Sequence, residues 1–203
     1  AGFLHAVLSG HNSPVAYRRS LRPNDSSAWT DDVPVGAGTY PVLVCGVDDT
    51  LYLTLRNADG WSGTDLYLKS PGGDWEPGAK PVRRTDAYAG YATYTNGIAV
   101  AADATLHAVW DFFETEGGDP QHGLDEATGY MRSRDGAGSW ERADGSTIEL
   151  PARPEQMDLL GRHHESFEAI NPGSSISSSG AIALDGDENP IILYVSHVEK
   201  PGE

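Results

Sequence analysis

Cysteine, lysine and methionine are almost missing from the sequence, with one Cys, three Lys and two Met among 203 residues. A single thiol, Cys45, excludes an internal disulfide and a cysteine-rich zinc cluster, and its apolar surroundings in PVLVCGV predict a small buried side chain. No apolar run reaches the length of a membrane-spanning helix, and apolar residues rarely recur at helical spacing. The sequence therefore favours neither a helical fold nor a disulfide framework.

Positive charge is also scarce. The 14 Lys and Arg residues face 30 Asp and Glu residues, which gives a formal net charge of −16. Proteins are attracted to nucleic acids and anionic membrane surfaces through clustered basic residues, so we expect neither as a partner of this acidic protein. The oligomeric state has no signature in the sequence.

No residue pattern requires a cofactor or a catalytic metal, and we expect none, although a structural Ca²⁺ or Zn²⁺ is compatible with the composition. The acidic segments DGDEN, residues 185–189, and ETEGGDP, residues 114–120, lack the spacing of a twelve-residue calcium loop. DGDEN is interpreted as a solvated hairpin turn. The adjacent His163 and His164 cannot easily aim at one ion and are interpreted as part of a polar loop.

Glycine and proline are abundant instead, with 24 Gly and 13 Pro between short apolar runs. Many brief strands separated by turns predict an all-β fold. Four apolar runs begin similar units: GFLHAVLSGH, DDTLYLTLRN, DATLHAVWDFF and, at residues 187–197, DENPIILYVSH. After the first three runs come Tyr-x-x-Ser, at residues 17–20, 67–70 and 130–133, and then Trp29, Trp75 and Trp140.

The spacing of these units predicts a β-propeller. Tyr17 and Tyr67 are 50 residues apart, and Tyr130 follows after another 63; periods of about 40–50 residues are typical of four-stranded antiparallel propeller blades. We expect residues 1–203 to form a single propeller domain of about 3.5–4 blades, part of a larger, seven-bladed propeller. Its units are expected at roughly 1–35, 36–85, 86–150 and 176–203, with a loop-rich segment at 152–179.

The turn SRDGAGSW, residues 133–140, is predicted to join two outer strands. Ser and Asp side chains would bond to backbone amides, glycines would adopt positive φ, and Trp140 would pack between blades. The pattern resembles the Asp-box of sialidase-type propellers, which implies a scaffold role rather than chemistry.

The chain as a whole resembles the BNR-4 repeat family, whose better-known members include the propeller-type ulvan lyases. The resemblance rests on SGHNSPVAYRRSLRPNDSSAW, on TYPVL with GVDDTLYLTLRNADG, and on YMRSRDGAGSWERADGSTIELP with ALDGDENPIILYVSH. It implies a polysaccharide lyase that cleaves an anionic, uronic-acid-containing, ulvan-like polysaccharide by β-elimination, in an extracellular or periplasmic location. That reaction needs a group that neutralises the uronate carboxylate, a base for the neighbouring C–H and an acid for the leaving oxygen.

Tyr40 and Arg56 are the first two catalytic candidates. TYPVL is expected to begin an inner strand at Tyr40, and Arg56 ends the next strand, where alternation places it on one face with Tyr52 and Thr54. The resemblance implies that Arg56 binds the carboxylate bidentately and that Tyr40 is the general acid. A free tyrosine has a pKa of about 10, so a role as base would require a neighbouring cation such as Arg56. On the residues alone, a surface ion pair for Arg56 and a packing role for Tyr40 stay open.

His11 is the third catalytic candidate, and Asn12 beside it is assigned to substrate binding. Both follow the first apolar strand in SGHNSP, and the resemblance implies that His11 helps to hold or neutralise the carboxylate. The family has a second site histidine about one strand and turn upstream, which would precede Ala1. Because AGFLHAVLSGH resembles the interior of a strand, we expect the natural protein to be longer.

Further substrate contacts are expected from Tyr94 or Tyr91 in GYATYTNG. Their spacing of three residues points them to opposite faces of a strand, and Tyr94 is preferred. His197, at the end of ILYVSH, is expected at the channel mouth. His107 is interpreted as a blade-face residue because it is spaced like Tyr52 and His5.

Two other functions are compatible with a propeller, since the scaffold hosts many activities. A glycoside hydrolase would need a pair of carboxylates, for which Asp111 and Glu114 are the candidates. A non-catalytic carbohydrate-binding propeller would retain the site residues only as a polar rim.

Overall fold

The computed structural model describes residues 2–57, 63–84, 92–115, 123–162 and 181–193. Within these ranges the chain forms fifteen strands and one short 3-10 turn, which confirms the all-β class. No helix in the described part is long and apolar enough to cross a membrane. The strands are β1 (His5–Leu8), β2 (Ser13–Arg22), β3 (Asp25–Trp29), β4 (Val33–Cys45), β5 (Leu51–Asn57), β6 (Thr64–Lys69), β7 (Trp75–Pro77), β8 (Ala92–Val100), β9 (Leu106–Thr115), β10 (Gly123–Ser133), β11 (Trp140–Glu141), β12 (Thr147–Ile148), β13 (Asp158–Arg162), β14 (Ala181–Leu184) and β15 (Pro190–Leu193).

The strands form three successive antiparallel sheets. The first has the order β1-β2-β4-β5-β6-β7, with β3 also paired to β2; the second has the order β12-β11-β10-β9-β8, with β13 paired to β10; the third is the hairpin β14-β15. Each strand pairs mainly with its neighbour along the chain, as in the meandering blades of a propeller.

Strand β4 runs from one repeat unit into the next. Up to Gly38 it pairs with β2, and from Gly38 onward it pairs with β5. A Cβ at Gly38 would lie 2.6 Å from the carbonyl oxygen of Arg56, so only glycine permits this close backbone approach. The expected boundary between residues 35 and 36 therefore falls inside a continuous strand.

The segment 152–179, which was expected to be rich in loops, starts with regular structure. Pro154–Gln156 form the 3-10 turn, and β13 pairs with β10. Ala152 and Met157 are almost fully buried, and this apolar anchoring holds the segment against the second sheet. Residues 163–180 lie outside the described ranges.

Three hairpins share one five-residue turn. In residues 46–50, 101–105 and 185–189 the first amide donates to the fifth carbonyl oxygen, at 2.7, 2.9 and 3.0 Å. The fourth residue has a positive φ in every case: Asp49 at 65°, Ala104 at 70° and Glu188 at 64°. DGDEN is thus a hairpin turn, and identical turns at equivalent places support the repeat that the sequence indicates.

The turn at residues 133–140 joins β10 to β11 with the predicted hydrogen bonds. The hydroxyl of Ser133 accepts from the amide of Ala137 at 2.9 Å, and the carboxylate of Asp135 accepts from the amide of Ser139 at 2.8 Å. Trp140, which is 2% exposed, packs edge-to-face on Trp110 with ring centroids 5.5 Å apart. Both indoles belong to the core between the first and second sheets, so Trp140 packs between blades as expected.

Cys45 is exposed, so the prediction of a buried thiol is wrong. It is the last residue of β4 and immediately precedes the turn at residues 46–50, so its side chain lies at the rim of the sheet. The apolar residues around Cys45 suggested burial, but their composition does not show that the strand ends at this residue.

Two His–Tyr pairs occupy equivalent positions in the first and third repeat units. Nδ1 of His5 lies 2.7 Å from the Tyr17 hydroxyl, and Nδ1 of His107 lies 2.8 Å from the Tyr130 hydroxyl. His107 is 6% exposed, which confirms its assignment to a blade face. Burial, followed by nearby arginines, lowers the pKa of both histidines, and burial raises the pKa of Tyr130 to about 12. The paired rings are therefore neutral near pH 7.

These pairs should make the fold sensitive to mild acid. A histidine with a lower pKa in the folded than in the unfolded chain stabilises the fold above the unfolded pKa of about 6.5, and this contribution is lost as the pH falls below that value. In urea unfolding, we expect the free energy of unfolding to fall between about pH 7 and pH 5 and His107→Gln to flatten that slope. Hydrogen bonds lower the pKa of carboxylates such as Asp135. The protonation of these groups therefore affects stability only in stronger acid. An unaltered slope in the variant would contradict this assignment.

Candidate functional site

Arg56 is the centre of a polar cluster at the end of β5. The side chain is buried, with 7% of the residue exposed. Its Nη2 lies 3.0 Å from Nε2 of His11, 3.1 Å from Oδ1 of Asn12 and 3.4 Å from the hydroxyl of Thr39, while Nη1 lies 3.4 Å from the hydroxyl of Tyr94. All four of these partners are neutral groups. These hydrogen bonds hold the guanidinium in place.

The contact with Arg56 fixes the tautomer of His11. A guanidinium has only N–H donors, so Nε2 of His11 must accept this hydrogen bond. The proton of the neutral imidazole then lies on Nδ1. His11 itself is exposed.

Thr39 links the turn that carries His11 to the strand opposite Arg56. Its hydroxyl accepts from the amide of Asn12 at 2.8 Å and donates to Oδ1 of Asn12 at 2.8 Å. Thr39 is 4% exposed and is the cross-strand neighbour of Arg56. Sequence reasoning missed this residue, because the only signal is a β4–β5 register that no local pattern specifies.

Tyr40 adopts a strained backbone conformation beside this cluster. Its φ is +54°, an uncommon value that makes a bulky residue a genuine outlier. It was expected to begin a strand, but it lies inside β4, at an irregularity in the pairing with β5 between Thr39 and Val42. The bulge leaves Tyr40 48% exposed at the protein surface.

The ring of Tyr40 lies over the charged group. Its centroid is 4.9 Å from Cζ of Arg56, 5.3 Å from the ring of Tyr94 and 6.3 Å from that of His11. Cation–π contact of this kind is favourable by about 0.5–2 kcal/mol, more when desolvated. Tyr94 in turn packs against Phe113 at 6.5 Å. An exposed phenol is thus fixed next to a buried cation.

The third repeat unit brings Tyr94 to the site. Tyr94 lies in β8, and the hydroxyls of Thr64 and Thr93 are 3.0 Å apart where β6 meets β8. This buried contact sets the distance between the two sheets at the end where Arg56 lies. The site therefore depends on the packing of neighbouring blades.

The structure brings together five of the seven residues that the sequence singled out: His11, Asn12, Tyr40, Arg56 and Tyr94. The other two, Tyr91 and His197, lie outside the described residues, as do His163 and His164. Arg56 is buried among polar groups and is not a surface residue.

The carboxylate pair considered for a hydrolase does not form an open site. Asp111 is fully buried, and one of its oxygens accepts a hydrogen bond from the hydroxyl of Thr128 at 2.6 Å. Of Glu114, the structure describes only the backbone, within β9. In the described ranges no group of three or more His, Cys, Asp and Glu side chains is arranged to hold a metal ion.

The sheet order, the repeated turns and a polar cluster at the strand ends of adjacent units define part of a β-propeller. The sequence matches the model of the BNR_4 family, described as a BNR repeat-containing family member, over residues 1–202. The chain therefore belongs to this family.

Two solved structures share the fold. They are described as polysaccharide lyase PL25 ulvan lyase, one without further qualification and one bound to -[GlcA(1-4)Rha3S]-. Each has a TM-score of 0.70 and 16% sequence identity, and the match covers 93% of this chain and 47% of the ulvan lyase chain. The chain thus spans about half the length of these enzymes. No curated protein sequence matches it.

Proposed function

We propose that this protein is a polysaccharide lyase that cleaves a uronic-acid-containing, ulvan-like polysaccharide by β-elimination. The observation that carries the proposal is the exposed, strained Tyr40 fixed 4.9 Å above the buried guanidinium of Arg56. The structural likeness to ulvan lyases, one of them bound to a glucuronate-containing oligosaccharide, supports the same chemistry. Because the chain spans about half of those enzymes, the proposal concerns the complete propeller.

In this mechanism Arg56 binds the uronate carboxylate. Neutralising that carboxylate stabilises the negative charge that develops when the neighbouring C5 proton leaves. His11 and Asn12, which contact Arg56 from one turn, would orient the sugar against the guanidinium. A partly buried cation is most effective here because the low local dielectric strengthens the interaction.

Tyr40 supplies the proton transfer. As the C5 proton leaves, the electron pair of that C–H bond forms the C4–C5 double bond, and the C4–O bond to the neighbouring sugar breaks. Acting as a phenolate, Tyr40 accepts the C5 proton and then donates that same proton to the leaving oxygen, which regenerates the phenolate. Tyr94, beside Tyr40, would contact the sugar ring.

The proposal has consequences beyond the site. The partner is an anionic polysaccharide, which places the working protein in an extracellular or periplasmic compartment where such polymers occur.

A glycoside hydrolase on the same scaffold is disfavoured by the full burial of Asp111, since a catalytic carboxylate must reach the substrate.

A panel of uronate polysaccharides tests the proposal. The protein is incubated with each polymer, and the ultraviolet absorbance of an unsaturated uronate end is followed together with the number of reducing ends. Both should rise in parallel on at least one polymer. Reducing ends without the double bond would indicate hydrolysis, and binding without either product would indicate a non-catalytic propeller; each of these outcomes overturns the lyase assignment.

A further inference from the structure

A cavity lies between the first two repeat units, at the ends of the strands opposite Arg56. It has a volume of about 340 Å³. Leu51, which lines it, and Arg56 are five residues apart on β5 and therefore separated by about 17 Å. This cavity is distinct from the candidate active site and has no part in the mechanism above.

The charges that line this cavity are opposite in sign to the protein as a whole. Arg19 and Lys69 line it together with one carboxylate, Asp49, whereas the chain carries a net charge of −16. His5 also lines the cavity, and it is neutral near pH 7 because burial lowers its pKa. The described lining therefore has one excess positive charge.

Among the residues that the structure describes, Arg19 has no carboxylate partner, unlike Arg132 at the equivalent position of the third repeat unit. Arg19 and Arg132 each follow the tyrosine of a Tyr-x-x-Ser segment by two residues. Arg132 forms an ion pair with Glu141 at 2.7 Å, the residue after Trp140, but the residue after Trp29 is Thr30. The guanidinium of Arg19 instead lies 4.4 Å above the ring of Phe3.

Lys69 also lacks a carboxylate partner in the part of the chain that the structure describes. Its ammonium group donates to the carbonyl oxygen of Gly73, a contact that orients the side chain but leaves its charge intact. Two oriented cations from adjacent repeat units therefore line one cavity. Oxyanions are recognised by such charge-assisted hydrogen bonds.

Two aromatic rings form part of the remaining walls. Phe3 and Tyr17 line the cavity, and Tyr17 is held edge-to-face against Trp75 with centroids 5.3 Å apart. Pockets for small ligands are usually about 300–1,000 Å³ and combine apolar walls with a few convergent polar groups. This cavity has both features and is at the small end of that range.

We propose that this cavity is a second ligand site, which binds a small ring-shaped organic anion whose carboxylate or sulfate contacts Arg19 and Lys69. A single acidic sugar has this chemistry. The site would bind it independently of the proposed lyase reaction, since the two sites lie at opposite ends of the strands. Its affinity should fall with added salt, because dissolved ions shorten the Debye length and weaken the attraction of an anion to exposed cations.

Isothermal titration of the 203-residue chain with glucuronate, a glucose sulfate ester and uncharged glucose tests the proposal. We expect one or both anions to bind and glucose to bind far more weakly. Arg56→Gln, which alters the candidate active site, should leave this binding in place. Arg19→Ala and Lys69→Ala should each weaken it by about tenfold or more, as loss of a charge-assisted hydrogen bond does.

Arg22→Ala is the matched control, because Arg22 is an exposed arginine on the same strand as Arg19 and outside the cavity lining. It removes the same charge and should not change the affinity. Melting temperatures of the variants show whether the fold is intact. No binding of either anion at millimolar concentration, equal binding of glucose, or loss of binding in Arg56→Gln but not in Arg19→Ala would each overturn the second site, and none of these results bears on whether the protein is a lyase.

Discussion

Tyr40→Phe is expected to lower the turnover number by about 10²–10⁴-fold, the usual contribution of general acid–base catalysis, with little change in substrate affinity. The substitution removes only the phenolic O–H. The ring can stay over Arg56 and against Tyr94, because these contacts involve its aromatic face. Initial rates of double-bond formation, measured over a range of polysaccharide concentrations, separate the loss in kcat from any change in KM.

Tyr52→Phe is a matched control for this experiment. Tyr52 lies on the same face of β5 as Arg56 but four residues earlier, about 13 Å away, and it belongs to the core between sheets. It should retain normal turnover. If Tyr40→Phe also retained normal turnover, Tyr40 would not be the proton donor.

The backbone conformation of Tyr40 costs free energy, and the proposed catalytic role of its phenol explains why the fold retains that conformation. A non-glycine residue in the left-handed region costs about 1–3 kcal/mol, and such strain persists only where the surroundings impose it. Tyr40 is the only residue within a described strand that combines a bulky side chain with positive φ; the other non-glycine examples, such as Asp49 and Ala104, lie in turns. The pairing of β4 with β5 imposes the conformation, and the result is an exposed phenol above a buried cation.

Much of the fold could be predicted from the sequence because the same short sequence patterns recur in successive repeat units. The acidic residues that precede β5, β9 and β15 mark identical turns, and Tyr-x-x-Ser marks the strands β2, β6 and β10. Patterns of this kind are local, and local signals are the ones a single sequence shows. The continuous strand β4 could not be predicted, because its change of partner at Gly38 depends on register with two other strands.

The candidate site was predictable only in part for the same reason. Strand-end positions and family resemblance indicated His11, Tyr40 and Arg56, and the structure places them together. Thr39 gave no sequence signal, although its hydroxyl bonds both Asn12 and Arg56. A threonine next to a tyrosine is unremarkable until the register shows that it faces the arginine across the sheet.

Arg56→Gln is expected to lower kcat/KM by about 30- to 5,000-fold, which corresponds to about 2–5 kcal/mol for removing one member of a buried, hydrogen-bonded charged contact. Glutamine keeps much of the volume but has no charge and one donor group, so it cannot bind a carboxylate bidentately. It also leaves His11, Asn12 and Thr39 without the donor that now joins them. Loss of substrate binding should raise KM, in contrast to Tyr40→Phe.

Arg56→Lys separates the role of charge from that of geometry. Lysine retains a positive charge, but its point-like ammonium group cannot reproduce the planar two-pronged contact of arginine. If charge neutralisation alone matters, Arg56→Lys should recover most of the activity that Arg56→Gln loses; if the bidentate contact matters, as we expect, it should recover only a small part. Arg22→Gln, the same change at an exposed site on β2, should have normal kinetics. Unaltered kcat/KM in Arg56→Gln would remove the cation from the mechanism, and with it the chemical basis for a lyase.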